Sequence, residues 1–379
     1  MRLSPSSDPE LAARLTAVSP SDYALTRNHL DGAVTGLSRW ITHGSVTLPE
    51  LVEHFQLQPD DKLAFQFGWR EFFHHVWEQL GEGIFADIRP GLPGVTYAGT
   101  LPADIREARS GIPTIDRSVA ELYATGYLHN HARLWLASYT VHLRKVHWRV
   151  AADWFYGHLR DGDLAANHLS WQWVAATFSS KPYLFNADNV ARFAPADWHC
   201  PGSVLDTRYE RLEEIARHSA ALDASPPTGD GVLEPPLHGE PPLHLVSPAD
   251  FLSPDSSGPL HLVHPWALRP VPAGSGRRIG VIHLPFHQRF PWSAERWAFV
   301  LPRLRAVTDA LFIGDIATLN GHVSAEATLN PGYRDALVAI GAKLTPAPRW
   351  LPDPPELCPS FSRFWQQTAG RRHAGRWHA

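Results

Sequence analysis

The segment DGDLAANHLSWQW (161–173) concentrates side chains that could bind a ligand and exchange an electron with it. Asp161 and Asp163 stand where the chain is expected to turn into a helix. Asn167 follows one helical turn in, and Trp171 one turn beyond. A carboxylate accepts hydrogen bonds from N–H groups, and an amide both donates and accepts them. The spacing therefore predicts a helix that presents a carboxylate, an amide and an indole to one ligand.

Prolines are few between residues 10 and 222, and apolar side chains recur there at helical spacing. Runs of β-branched residues are scarce, which argues against strands. We therefore expect a mainly helical domain over residues 1–224. Its helices are predicted within residues 68–80, 118–146 with a break near Thr125-Gly126, 150–159, and 203–222 with Asp206 as the N-cap.

The composition changes at Ser225, after which prolines, glycines and serines accumulate. It predicts a Pro-rich linker over residues 225–276, with short strands at the two copies of PLHLV (242–246 and 259–263). Residues 277–379 are predicted to form a small α/β region with a basic tail. That region has no GxGxxG fingerprint and no P-loop. Its elements are a strand at 277–286, a helix at 293–307 interrupted or restarted at Pro302, and a strand at 309–316.

Composition narrows the class of protein. Hydrophobic residues make up 44% and charged residues 19% of the chain, as in ordinary globular proteins. No apolar run reaches the ~20 residues of a membrane helix, and the N-terminus has no apolar segment typical of a signal peptide. Two cysteines among 379 residues predict a cytoplasmic protein and cannot supply the four ligands of an iron–sulfur cluster.

Charge bears on nucleic-acid binding. Residues 1–225 carry 20 Lys and Arg against 26 Asp and Glu, which argues against a protein that coats nucleic acid. A DNA contact would need a local basic patch, for which the candidates are Arg144, Lys145, Arg149 and Lys181. No metal site is predicted, because prolines and strand-like sequence surround the histidines of the C-terminal half: His261, His264, His283 and His287.

Several separated blocks of the helical half resemble the flavin-binding domain of the DNA photolyase/cryptochrome family in order and approximate spacing. The resemblance runs from about residue 20 to residue 195. DGDLAAN followed by WQW is a specific signal, whereas WREF alone would be weak. The blocks are YALTRNHLDGAVTGLSRWITHG (23–44), GWREFF (68–73), GIPTIDRSVAELYATGYLHNHARL (111–134), DWFYGHLRDGDLAANHLSWQWVA (153–175) and KPYLFN (181–186).

The resemblance implies flavin adenine dinucleotide (FAD), in the bent form that the family uses, as the ligand of the opening segment. Asp163 would accept the N3–H of the isoalloxazine. Asp161 would pair with Arg133 near N5, where a fixed guanidinium stabilises a reduced, anionic flavin. Asn167 would face N5, and residues 35–38 would hold the pyrophosphate. The whole set implied for the cofactor is Tyr23, Thr35, Leu37, Ser38, Arg70, Asn130, Arg133, Asp161, Asp163 and Asn167.

The resemblance also implies an electron relay. Trp171 matches the residue from which an electron is drawn to the flavin, and Trp148 matches the second member of that chain. The family's third member is a surface tryptophan, whose place falls near Val95 here, with Tyr97 two residues on. The relay is therefore expected to be incomplete, or to end on Tyr97 or on another tryptophan.

Trp69 and Trp173 match the two indoles that line the pocket for a flipped, damaged dinucleotide. Gln66 stands where cyclobutane-dimer repair enzymes carry a Glu, and a glutamine there resembles the (6-4) branch. That branch requires histidines where this chain has Asn130 and Leu134, so (6-4) repair is not expected. The catalytic residues implied are Trp171, Trp148, Asn167, Trp69, Trp173 and Gln66.

We expect a short, FAD-binding photolyase-like lyase that repairs cyclobutane pyrimidine dimers in damaged, single-stranded DNA by light-driven electron transfer from reduced flavin. Two alternatives stay open, a cryptochrome-like blue-light sensor and a dark flavoenzyme acting on a small molecule. The acidic helical half favours these alternatives, whereas Trp69, Trp173 and Asn167 favour repair. Family members carry an α/β domain before the flavin domain and often bind an antenna chromophore there, so the late α/β region leaves the antenna unassigned.

Overall fold

The computed structural model describes residues 8–227, 229–247, 258–271, 274 and 276–374, with side chains up to residue 369. Helices dominate its first part, and a small α/β region follows, as the sequence predicted; the sheet of that region is parallel. Its helices are α1 (Pro9–Ala17), α2 (Pro20–Thr26), α3 (Ser38–Thr42), α4 (Leu48–His54), α5 (Lys62–Leu80), α6 (Ala103–Arg106), α7 (Pro113–Thr125), α8 (Asn130–Ser138), α9 (Trp148–His158), α10 (Leu164–Ala175), α11 (Ala187–Phe193), α12 (Tyr209–Arg217), α13 (Leu284–Arg289), α14 (Ala294–Val307), α15 (Tyr333–Ala339) and α16 (Phe361–Ala374).

The helix boundaries are set by residues with particular backbone or capping preferences. The predicted break near residue 125 is confirmed, because Gly126 adopts a left-handed conformation (φ 63°) that ends α7. The prediction for 203–222 was too long, since only α12 forms there. Asp206 as its N-cap was wrong: Arg208 holds that position, and the Asp206 carboxylate instead accepts the N–H of Gly202 at 2.7 Å.

Five parallel strands form one sheet in the order β5-β3-β2-β6-β7. The second PLHLV copy forms β2 at its centre. The strand predicted for the first copy was wrong, because Leu243–Leu245 forms a 3-10 turn. Pro302 lies inside α14 without interrupting it. The strands are β1 (Leu237–His238), β2 (Leu260–Val263), β3 (Arg277–His283), β4 (Trp292–Ser293), β5 (Ala310–Gly314), β6 (Val323–Glu326) and β7 (Lys343–Thr345), of which β1 and β4 pair with each other antiparallel.

In the described part of the chain, two large apolar cores stabilise the fold. One lies wholly within the helical half and includes Trp148 and Trp171. The other joins the N-terminal helices to the sheet, so that Phe72 of α5 and Ile279 of β3 belong to the same buried cluster. The helical half and the α/β region therefore share a core. The domain boundaries proposed from composition stay a prediction.

Helix α10 is central to the site because it packs against α5, α8 and α9. Most of its residues are buried, which fixes the side chains that it presents. In the part of the chain that the structure describes, no helix has the length and apolar character needed to cross a membrane. The end of the predicted basic tail, residues 375–379, lies outside the described residues.

Candidate functional site

Asp163 caps the start of α10. Its Oδ1 accepts the N–H of Ala166 at 2.8 Å, as an N-cap carboxylate should. Its Oδ2 lies 2.8 Å from Arg70 Nη2 and 2.8 Å from His74 Nε2. Burial opposes ionisation, but these two groups outweigh it and hold the pKa of Asp163 well below its usual range. The site therefore contains a permanent carboxylate at this position.

Asp161 forms the predicted pair with Arg133. The Arg133 Nη2 donates to both carboxylate oxygens, at 3.0 and 2.8 Å. Burial raises the pKa of Asp161, but Arg133 and a hydrogen bond from Ser38 lower it further than burial raises it. Both aspartates of the opening segment are thus ionised and held by arginines from other helices, Arg70 on α5 and Arg133 on α8.

Most of the predicted site residues line one cleft of about 290 Å³ between α5, α8 and α10. The Asn167 side chain lies in it with its Nδ2 donating to the Ala152 carbonyl at 2.8 Å, which leaves the amide oxygen for a ligand. The predicted residues that line the cleft are Tyr23, Thr35, Ser38, Gln66, Trp69, Arg70, Asn130, Arg133, Asp161, Asp163, Asn167 and Trp171.

Three predicted residues lie outside the walls of this cleft. Leu37 is fully buried in the core that joins the two halves. Trp148 is buried in the helical core, and its Nε1 donates to Asp87 at 2.6 Å. Trp173 packs against Tyr183 with 5.6 Å between the ring centres. The cleft thus gathers one of the two indoles expected to stack on a substrate, Trp69, and one of the two expected in a relay, Trp171.

Aromatic rings continue outward from Trp148. Its ring centre lies 5.7 Å from that of His147, which in turn lies 6.4 Å from Tyr97. The Tyr97 hydroxyl is buried and has no hydrogen-bond partner among the described residues. Burial and the nearby Asp87 raise the pKa of Tyr97 to about 12. These rings connect Trp148 with Tyr97, which lies two residues from Val95 and is one of the residues at which the relay was expected to end.

The C-terminal helix α16 covers part of α5. Phe361 stacks on Trp69 with 4.1 Å between ring centres and 9° between ring planes. Trp365 lies so close to Gly68 that a Cβ added there would meet it at 2.2 Å. One face of the Trp69 indole is therefore occupied by Phe361, while Trp69 also lines the cleft. Nothing in the sequence patterns indicated this contact.

A second cavity of about 650 Å³ lies between α5 and the carboxyl ends of β2 and β6. These two strands meet where the order of the sheet reverses, which is where open α/β sheets commonly leave a crevice. His264 and Trp266, which follow β2, line this cavity, and Arg70 and Asp163 line both cavities. Among the described residues, no cluster of three or more His, Cys, Asp or Glu side chains is placed to hold a metal ion.

A buried helix that begins with an ionised carboxylate, presents an amide and an indole, and meets two fixed arginines defines a site for a planar, hydrogen-bonding cofactor. Residues 63–196 match the family model described as the FAD binding domain of DNA photolyase. This part of the chain is therefore similar to the FAD-binding domain of DNA photolyase, and the cofactor of the site is FAD.

Proteins named photolyase and proteins named cryptochrome are both similar to this chain. A deoxyribodipyrimidine photo-lyase of Streptomyces griseus is 31% identical over 161 residues, which cover 41% of this chain and 35% of the relative. A chloroplastic/mitochondrial cryptochrome DASH of Oryza sativa subsp. japonica is 29% identical over 165 residues, which cover 40% of this chain and 28% of the relative. The chain thus spans about a third of the length of the curated relatives it matches.

Among solved structures, an archaeal photolyase from Sulfolobus tokodaii, described with two FAD molecules, aligns with a TM-score of 0.46 and 22% identity. The alignment covers 55% of this chain and 49% of the other.

The residues around Ser38 fit the pyrophosphate of FAD. A third cavity of about 300 Å³ is bordered by Ser38 and Asp161, which also line the main cleft. The Nε atoms of Arg39 and Arg160 are buried and lack a hydrogen-bond partner among the described residues. Unsatisfied N–H donors of this kind suit an anion. Sequence reasoning missed both arginines, although each directly adjoins a residue that it had identified.

Proposed function

We propose that this protein repairs cyclobutane pyrimidine dimers in damaged DNA. The observation that supports this most is the convergence of Asp161, Asp163, Asn167 and Trp171 with Trp69 and Gln66 on one cleft. When bound and reduced, FAD supplies the light absorption and the electron. An electron lent to the dimer would break the two bonds that close the cyclobutane ring and would then return, so that no net oxidation or reduction would result.

The residues of the chain itself bind the cofactor and orient the groups that meet the substrate. Arg133 fixes Asp161, and Arg70 fixes Asp163, so the two carboxylates cannot swing away from the cofactor. Trp69 lines the cleft in which a flipped base would lie. Gln66 can hydrogen-bond a thymine carbonyl, but unlike a carboxylic acid it cannot donate a proton or carry charge.

The predicted basic patch for DNA is not available. Lys145 is buried and donates to the carbonyls of Ile215 and Ala216, and burial lowers its pKa to about 8. Arg144 pairs with Asp104, and Arg149 with Asp153. Of the four candidates, Lys181 alone is exposed. These four residues therefore contribute little to phosphate neutralisation, which favours binding to single strands, where flipping costs no unpairing.

The decisive assay measures light-dependent loss of a cyclobutane thymine dimer in a short single strand, at low salt, with fully reduced flavin. We expect loss of the dimer with the wild-type chain, and at least a tenfold slower loss with Trp69→Ala. Tyr209→Ala, at an exposed aromatic residue of α12, is the matched control and should repair at the wild-type rate. Absence of repair by a protein that holds reduced FAD would refute the proposal.

A second candidate function is light sensing. Phe361 occupies one face of Trp69, where a repair enzyme needs aromatic surface for its substrate. If photoreduction proceeds but neither dimer repair nor binding of dimer-containing DNA is detected, light sensing replaces repair as the proposed function. For the compartment we propose the cytoplasm, since Cys200 and Cys358 are both free and buried.

A further inference from the structure

Arg296 is a fully buried arginine that the C-terminal α/β region contributes to the interior. It lies in the first turn of α14, where the Ser293 side chain caps the helix and accepts the Arg296 N–H at 3.3 Å. Its guanidinium lies 3.9 Å from the ring centre of Trp292 and 4.8 Å from that of Tyr156. Contact with both rings restricts the orientation of the group.

This guanidinium reaches the segment that joins the two flavin-site aspartates. Its Nη2 donates to the Gly162 carbonyl at 2.6 Å. A Cβ added to Gly162 would lie 2.5 Å from Arg296 Nη1, so the approach depends on the absence of a side chain there. A residue 134 positions away in the sequence thus holds the backbone between Asp161 and Asp163.

The charge of Arg296 is not neutralised by a partner of its own. In the described part of the chain, no carboxylate lies within ion-pair distance of it, and its Nε and Nη1 have no hydrogen-bond partner. Asp161 and Asp163 already pair with Arg133 and Arg70. Three guanidiniums therefore surround two carboxylates, which leaves an excess positive charge in an interior where screening is weak.

We propose that Arg296 is a positioning residue of the flavin site that also raises the reduction potential of bound FAD. It holds the 161–163 segment through the Gly162 carbonyl and supplies a buried positive charge that favours the anionic, reduced form over the neutral, oxidised form. The proposal rests on FAD occupying the cleft and is independent of whether DNA is repaired. It also assigns a task to the α/β region, namely support of a site that lies in the helical half.

The test compares the midpoint potential and dissociation constant of FAD in the full chain, without DNA. In Arg296→Met, the ratio of reduced to oxidised FAD at a fixed potential should fall about tenfold, which is about 30 mV for a two-electron couple. FAD should also bind more weakly. Arg303→Met is the matched control: Arg303 is on the same helix but pairs with Asp8 and Glu10. It should leave both quantities unchanged.

Arg296→Lys provides a second measurement, because a buried lysine loses its charge at a lower pH than an arginine. The potential of this variant, taken relative to the wild type in the same buffer, should fall as the pH rises from about 6 to about 9. Burial lowers the pKa of the neighbouring histidines, to about 3 for His43, and raises that of the tyrosine, so none of these titrates in that interval. The groups that face Arg296 are His43, Tyr156, Asp161, Asp163 and His287.

Each outcome bears on the proposal directly. A potential that falls in Arg296→Met, together with a pH-dependent difference in Arg296→Lys, supports it. An unchanged potential in both folded variants, or an equal shift at all pH values in Arg296→Lys, overturns the role of the charge. If Arg296→Met does not fold, the lysine variant decides alone. Failure of DNA repair leaves these results unaffected, because no DNA is present.

Discussion

Asp163 combines a structural and a ligand-binding task in one side chain. One of its oxygens caps α10, and the other contacts Arg70 and His74. An acceptor held in this way can meet an N–H donor of the cofactor without reorganising, which is what makes a binding site specific.

Removal of this carboxylate should release FAD. In Asp163→Ala a buried N–H of the cofactor is left unpaired, at a cost of about 1–3 kcal/mol, so FAD should bind about 5- to 150-fold more weakly. Asp188→Ala, at an exposed aspartate of α11, is the control. The measurement is the FAD content of purified protein and its release on dilution. Full retention in an Asp161→Ala/Asp163→Ala double variant would contradict the assignment.

The same residue predicts a pH dependence of stability. Because the pKa of Asp163 is depressed in the folded state, its contribution is present above the unfolded value of about 4 and is lost as the pH falls further. The difference in free energy of unfolding between wild type and Asp163→Asn should therefore be constant near neutral pH and shrink on acidification from about pH 4 to about pH 2. Denaturant titrations across this range measure it, and a difference that grows on acidification would have the wrong sign.

The relay implied for Trp171 and Trp148, continued by the rings of His147 and Tyr97, predicts where electrons enter. Trp171→Phe should slow photoreduction of bound FAD by orders of magnitude, because phenylalanine is a far poorer electron donor. Tyr97→Phe should slow it less if Tyr97 is the outer end of the relay. Trp198→Phe, in the same core but outside the relay, is the control. Bleaching of oxidised flavin under blue light with an external reductant is the readout, and a wild-type rate in Trp171→Phe would place the relay elsewhere.

Many residues of the site could be predicted from the sequence, but only in the segments that resemble the photolyase/cryptochrome family. The Asp161–Arg133 pair was predicted and is present. Arg39 and Arg160 were missed because an arginine beside a known site residue looks like any surface arginine. Arg296 could not be predicted at all, since its contact with Gly162 depends on how the sheet packs against the helical half.

Among the elements, α16 bears on substrate binding through Phe361, which stacks on Trp69. Phe361→Ala should free one face of Trp69 and strengthen binding of dimer-containing single strands, because stacking of a base contributes about 1–3 kcal/mol. The same change should cost about 3–5 kcal/mol of stability, since Phe361 is buried. Phe312→Ala on β5 is the matched control. DNA affinity, compared at a temperature where every variant is folded, should rise in Phe361→Ala alone; unchanged or weaker affinity would show that Phe361 does not compete with the substrate.

Elements with strong local signals were predicted correctly. The aromatic repeat of 68–80 lies within α5, and Gly126 ends α7. The two PLHLV copies show the limit of prediction from local sequence, since the same five residues form a turn in one place and the central strand in another. What separates them is a pairing partner: β2 has β3 and β6 on its two sides, and those neighbours come from distant sequence.

At the scale of the molecule, the shared core predicts cooperative unfolding. Leu304→Ala, at a fully buried position of α14, should cost about 2–5 kcal/mol. Because this core includes residues of α5 and α10, the loss should appear equally in FAD release and in tryptophan fluorescence. Two separated transitions in a denaturant titration would show that the helical half and the α/β region unfold independently.

The central place of β2 has a consequence for how the protein assembles during synthesis. As the chain leaves the ribosome, the helical half emerges before the sheet, and β2 is the first strand of the five-stranded sheet to follow. The next strands, β3 and then β5, add on one side, after which β6 and β7 add on the other. The sheet can thus grow outward from its middle against a helical surface that has already been made, without any strand having to insert between two that are already paired.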